Sequence, residues 1–241
     1  MTYLLEAKRL LKKYSGKPVV NNVDFAVDRG EIVGLLGPNG AGKTTSFLMA
    51  MGLIRPDSGT VWLNGQNVTY MPMYRRARLG MGYLSQEPSV FQRMSVESNI
   101  LAILETLPLR REERRRRSRQ LLEAAGLAHL AWQKAYTLSG GERRRLEITR
   151  ALVTSPSLLL LDEPFPGVDP KHVSELQKMI TSFRGQGLGI LLTDHNVRDT
   201  LKVTDRAYII REGVIIRHGA PEQIVADPEV RRLYLGEDFH L

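Results

Sequence analysis

The chain has 241 residues, 34 of them basic and 26 acidic, a formal net charge of +8, and no cysteine. The missing cysteine excludes disulfides and thiolate metal sites, and no apolar stretch approaches the roughly 20 residues needed to cross a bilayer. With 42% hydrophobic and 25% charged residues, the composition is that of an ordinary globular chain able to bury a sizeable core. The first residues, MTYLLEAKRLLKKY, carry charge and no apolar run of signal-peptide length. The mature protein is therefore expected to begin near Met1 and to stay in the cytoplasm.

Short apolar segments at 23–27, 31–36 and 61–63 alternate with turns and read as strands. After the second comes Gly37-Pro38-Asn39-Gly40-Ala41-Gly42-Lys43-Thr44, a match to GxxxxGK[ST] that opens a helix at 43–51. This strand–loop–helix context is what a phosphate loop requires. Its glycines let backbone N–H groups curl around phosphate oxygens, and the helix N-terminus adds positive potential. Lys43 supplies a cation for the β- and γ-phosphates, and the Thr44 hydroxyl is placed to ligate Mg²⁺.

Residues 88–155 differ in pattern. Segments 96–104, 113–125 and 140–154 are all helix-like with no clear strand between, as in a helical subdomain inserted into a sheet-bearing core. Within it, the run 110–119 (RREERRRRSR) reads as a solvated helix face, with Glu112 and Glu113 paired to arginines one turn on. A nucleic-acid patch is the alternative. At 138–142 the chain reads LSGGE. Ser139 and Glu142 form an S-x-x-E capping box, which accounts for both as helix starters. The same helix start, with Gly140 and Gly141, exposes N–H groups and a hydroxyl to an anion. Both readings hold at once.

The run 158–161 (LLLL) is continuous, as in a strand buried on both faces of a parallel sheet. It ends in Asp162 and Glu163, and acids at a strand tip mark a site at the sheet's carboxyl edge. Successive strand residues point to opposite sides, so the two need not share a role. Asp162 suits a Mg²⁺ held through water, and Glu163 suits polarising an attacking water. Segment 171–183, with Pro170 as its starter, reads as a helix, and 189–193 (GILLT) reads as another buried strand. That βαβ pattern predicts an α/β core. Strands at 206–211 and 214–217 and short terminal helices complete the chain.

LSGGE between a phosphate loop and an acidic strand resembles the ABC transporter ATPase family, and the likeness runs over nearly the whole chain. The resemblance implies a P-loop NTPase fold: a RecA-like core with an antiparallel β subdomain (1–87 and 156–241) and an inserted helical subdomain (about 88–155). It implies that Tyr14 stacks on adenine and that the loop 37–45, Thr45 included, holds ATP. It makes Gln86 of YLSQE the glutamine that contacts Mg²⁺ and senses a membrane partner. Asp169 of PGVDP matches the D-loop, and His195 of TDHN matches the histidine that contacts the γ-phosphate. Two subunits would pack head to tail, each ATP lying between one phosphate loop and the opposite Ser139-Gly140-Gly141-Glu142. One motif set per chain then implies a homodimer on ATP binding, or pairing with a similar subunit.

Within the family, RARLGMGYLSQEPSVFQRMSVESNI, DEPFPGVDP, TDHNVRDTL and the tail YLGEDFHL resemble the ATPases of lipopolysaccharide export. Ser85 stands where these often have proline, and Pro166 where alanine is usual. The ATPases of branched-chain amino acid importers have similar ends. Soluble members acting on ribosomes or DNA usually carry two nucleotide domains or a coiled-coil insert, and this chain has neither. The resemblance implies integral membrane partners docked beside Gln86 and Phe91, no direct nucleic acid, no contact with the transported lipid, and a place on the cytoplasmic face of the inner membrane.

Overall fold

The computed structural model describes residues 2–166, 168–236 and 239. Gly167 of the PGVDP segment and most of the tail beyond 236 lie outside the described residues. The elements run β1 (Leu5–Tyr14), β2 (Lys17–Val27), β3 (Ile32–Leu36), α1 (Lys43–Met51), β4 (Ser58–Leu63), β5 (Gln66–Asn67), α2 (Met73–Arg78), β6 (Met81–Leu84), α3 (Val96–Leu104), α4 (Arg111–Ala124) and α5 (Gly140–Leu152). There follow β7 (Leu158–Asp162), α6 (Pro170–Gly185), β8 (Gly189–Thr193), α7 (Val197–Leu201), β9 (Arg206–Arg211), β10 (Val214–Gly219), α8 (Pro221–Ala226) and α9 (Pro228–Val230).

Two sheets form. The first is antiparallel, in the order β2-β1-β4-β5; the second runs β10-β9-β3-β8-β7-β6. Strands β9, β3, β8, β7 and β6 of the second pair in parallel, and β10 closes its edge antiparallel to β9. Every residue of β3, β7 and β8 is buried, because helices or the other sheet cover both faces. One apolar cluster joins the two sheets around Leu5, Val33, Phe47, Leu160 and Leu191. A second lies on the opposite face, where Leu176 and Ile180 of α6 meet Leu161 and Ile190. The helices between β6 and β7 have a cluster of their own, including Val96, Ile100, Leu122, Leu127 and Leu146.

The ends of α1 follow from its glycines. Gly42 (φ 101°) turns the phosphate loop into the helix, and Gly52 (φ 86°) closes it by donating to Leu48 O and Met49 O. Beside that closure lies Arg76, fully buried. Its guanidinium donates to the carbonyls of Met49 (3.0 Å), Ala50 (2.5 Å), Thr69 (3.0 Å) and Met71 (2.9 Å). Burial pushes its pKa down to about 10. The negative end of the α1 dipole stands in for a carboxylate partner.

Candidate functional site

The parallel sheet delivers four loops to one edge. Because β3, β8, β7 and β6 are adjacent and point the same way, the segments after them are neighbours. These carry the phosphate loop, His195, Glu163 and Gln86, in that order across the sheet.

The loop 37–42 needs its glycines. A Cβ on Gly37 (φ 157°) would stand 2.0 Å from Ile210 O, and one on Gly42 would stand 2.6 Å from Val19 O. The N–H groups of Gly40, Gly42, Lys43, Thr44 and Thr45 have no acceptor among the described residues. Orphan donors at a helix start suit the oxygens of a phosphate chain. The Lys43 ammonium folds back on the loop, donating to Gly37 O (2.5 Å) and Pro38 O (3.0 Å). Burial pulls its pKa down, and Glu163, Asp194 and Asp162 oppose that shift. Asn39 to Thr45, with Val19 and Glu163, line a cleft of about 150 Å³. A larger, open dish of about 790 Å³ between the antiparallel sheet and β10 lies away from this edge and gathers no metal-ligating cluster among the described residues.

At the end of β7 the two carboxylates separate. Asp162 is buried in the ladder, and its Oδ1 accepts from the Thr193 hydroxyl at 2.7 Å. Burial raises its pKa against that hydrogen bond. Glu163 still donates its N–H to Thr193 O, but its φ of 46° is left-handed and breaks the strand's alternation. The turn brings its carboxylate to Gln86, whose Nε2 donates to Oε2 at 2.9 Å. His195 Nδ1 lies 3.5 Å from the same oxygen. The two carboxylates thus take different partners, Asp162 the Thr193 hydroxyl and Glu163 the Gln86 amide.

The other expected residues are more scattered. Tyr14, at the end of β1, is 47% exposed. Asp169 caps α6 by accepting from Lys171 N at 2.9 Å. Ser139 and Glu142 form the capping box of α5: Glu142 N donates to Ser139 Oγ, Ser139 N to Glu142 Oε2, and the Ser139 hydroxyl to Glu142 Oε2. Gly140 is exposed, and a Cβ on Gly141 would meet His172 of α6 at 2.8 Å. This corner is not in hydrogen-bond contact with its own chain's phosphate loop.

Four residues were not legible in the sequence. Arg144, buried in α5, donates to the carbonyls of Ser85, Asp162, Glu163 and Pro164, and to Glu147 Oε2 at 2.8 Å. Glu147 Oε1 in turn accepts from Ser89 N at 3.0 Å. One guanidinium thus ties the LSGGE helix, the Gln86 loop and the Glu163 turn together. Asp194, fully buried, accepts from Asn196 N (2.7 Å) and Phe165 N (3.4 Å), holding the His195 turn against the loop after Glu163. The Tyr234 hydroxyl accepts from Gly37 N at 3.1 Å, and burial pushes its pKa up to about 12. The sole signal for Arg144 is a basic residue one helical turn into a helix whose other arginines, Arg143, Arg145 and Arg150, are only half-buried.

A glycine-walled nest with a lysine, facing two strand-end acids and a histidine, defines a P-loop ATP-binding domain. The family model described as "ABC transporter" matches residues 20–166, and one for branched-chain amino acid ATP-binding cassette transporters matches 216–240. A lipopolysaccharide export system ATP-binding protein, LptB, from Acidithiobacillus ferridurans is 53% identical over the whole of both chains. Its namesake from Haemophilus influenzae is 50% identical over 99% of each. The crystal structure of an ATP-binding cassette of an ABC transporter, in its ADP conformation, superposes with a TM-score of 0.89 at 26% identity, covering 98% of this chain and 100% of that one. The chain belongs to the ABC transporter ATPase family, and it is an ATP-binding, ATP-hydrolysing subunit.

Proposed function

We propose that the chain powers extraction of lipopolysaccharide from the inner membrane for export to the outer membrane. The observation that carries the cargo is the 50–53% identity, end to end, with ATP-binding proteins named for lipopolysaccharide export. The match to the branched-chain amino acid transporter model covers only 216–240, and it supports the second reading, an importer ATPase. The partners would be integral membrane subunits of the LptF/LptG kind, and the chain would sit on the cytoplasmic face. No helix among the described residues is long and apolar enough to cross a membrane, so movement has to be handed to another protein.

In this reading the chain is one nucleotide-binding domain, with an α/β core at 1–87 and 156–241 and a helical subdomain near 88–155. The orphan N–H groups of the loop and Lys43 hold the ATP phosphates, and Tyr14 offers a ring face to the base. Oxygen donors suit Mg²⁺: Thr44 and Gln86, with Asp162 through water, would hold it, and it would neutralise charge on the ATP phosphates. Glu163 polarises the attacking water, and His195 meets the γ-phosphate. Ser139, Gly140, Gly141, Glu142 and Asp169 serve the ATP of a second copy in a homodimer.

The docking surface is the loop after Gln86. Phe91 is 49% exposed and stacks under Arg150, 4.6 Å from ring centroid to guanidinium carbon. Phe91→Ala should spare soluble ATPase activity while weakening co-purification with the membrane subunits. For the cargo, the protein is depleted in cells grown in medium rich in leucine, isoleucine and valine, and lipopolysaccharide arrival at the surface is followed. The reading requires arrival to stop; continued arrival with unharmed growth leaves the importer as the better account.

A further inference from the structure

Helix α4 breaks two rules that stabilise helices. Its N-cap is Arg110, which makes no side-chain cap, and Arg110 and Arg111 put positive charge at the positive end of the helix dipole, offset in the first turn by Glu112 and Glu113. Arg110/Arg114, Arg111/Arg115 and Arg115/Arg119 are like-charge pairs one turn apart, which repel. Against them stands one ion pair, Glu113–Arg116 at 2.8 Å. The expected partner role of Glu112 is not realised among the described residues.

Of the seven arginines from 110 to 119, three are engaged within the chain. Arg114 reaches Leu107 O, Arg116 meets Glu113, and Arg117 donates to the Ser155 hydroxyl at 2.8 Å. Arg110, Arg111, Arg115 and Arg119 are exposed and have no partner among the described residues. Arg111, Arg115 and Arg119 lie in one stripe about 12 Å long. The opposite face, with Ser118 and Leu122, is buried against α3 and the turn that follows α4. No aromatic residue stands in the exposed stripe, so a nucleic-acid base has nothing to stack on.

We propose that this stripe docks α4 on an anionic phospholipid surface, the guanidinium groups pairing with headgroup phosphates. The forked guanidinium matches phosphate two bonds at a time. A straight row on a convex helix face suits a plane of headgroups better than the curved backbone of a duplex. The like-charge pairs that Glu112 and Glu113 leave unoffset would be relieved by an external anion. Membership of a transporter family puts such a surface within reach. The proposal does not depend on the cargo or on the catalytic assignment of Glu163.

The test is co-sedimentation of the full chain with vesicles of phosphatidylcholine, with and without phosphatidylglycerol. Binding should need phosphatidylglycerol and fade at high salt, as the Debye length shortens. Each basic residue near such a surface adds roughly a kilocalorie, so R111Q/R115Q/R119Q should bind on the order of a hundredfold more weakly. The glutamines keep helix propensity, so melting temperature and ATPase rate should hold. R111K/R115K/R119K should retain most of the binding, and it carries the reading if the glutamine triple melts early. Undiminished vesicle binding by the glutamine triple overturns the proposal. So does a wild-type chain that ignores phosphatidylglycerol vesicles, or one that prefers duplex nucleic acid at the same salt.

Discussion

Glu163 is held at φ 46°, where an L residue with a Cβ is disfavoured by about 1–2 kcal/mol. The sheet bears that cost because the turn points the carboxylate at Gln86 and His195 instead of into the ladder. Two outcomes follow. Glu163→Gln, which keeps size and loses the base, should lower the hydrolysis rate by about 10²- to 10⁴-fold while ATP binding survives, measured by turnover and by direct nucleotide titration. Glu163→Gly should be about 1 kcal/mol more stable than Glu163→Ala in urea denaturation, since only glycine takes left-handed backbone freely. A glycine variant no more stable than the alanine variant refutes the strain. Tyr14 supports a further expectation at this scale. A ring face reads no base edge, and stacking is worth about 1–3 kcal/mol for any base. ATP and GTP should therefore bind with similar affinity, both weakened in Tyr14→Ala; a hundredfold preference for ATP contradicts it.

Among elements, those with a clean period were legible in the sequence. β8, β9, α1 and α3 fall where their apolar spacing predicts, and the capping box starts α5 as expected. β1 was missed for a physical reason. Its ladder with β2 shifts register three times, and Arg9 (φ 48°) and Asn22 (φ 54°) sit in left-handed kinks that spoil the alternation of period two. β6 was missed because it is four residues with a glycine inside. Arg76 and Arg144 were hidden for another reason: both stand in runs of charge, and only tertiary packing tells a buried arginine from its less buried neighbours. Arg76 ties α1 to the segment around α2 through four carbonyls. Arg76→Leu would leave these acceptors unpaired at about 3–5 kcal/mol in total, read as a lower urea midpoint with unchanged slope. A loss under about 1 kcal/mol shows that water reaches them.

At the scale of the whole molecule, the LSGGE corner and the phosphate loop are built on different layers, and the capping box spends Ser139 and Glu142 on each other. On the proposed dimer reading, a chain with one such corner has half of each of two sites. Hydrolysis per subunit should therefore rise with protein concentration. Mixing Lys43→Ala chains with Ser139→Arg chains should restore about one working site per mixed pair, a recombination pattern that follows from composite geometry. Full activity in a subunit diluted to a proven monomer overturns the dimer reading. Arg144 and Glu147 bear on the same scale, since they join the corner to the Gln86 loop inside one chain. Breaking a buried pair by removing one partner costs about 3–5 kcal/mol, and removing both costs much less. Arg144→Met/Glu147→Met should accordingly be more stable than Arg144→Met alone, while both lose coupling between the partner-facing loop and hydrolysis.

Arg144 grips main-chain oxygens at Ser85, Asp162, Glu163 and Pro164, and no substitution removes a main-chain oxygen. The contact is blind to which side chain stands at position 85. This explains why serine is admissible there in a family that often has proline. In a survey of every single substitution, positions 85 and 164 should accept many residues and position 144 almost none, lysine included. Mutational freedom around the catalytic edge is thus set by which partner of each bond lends its backbone and which lends its side chain.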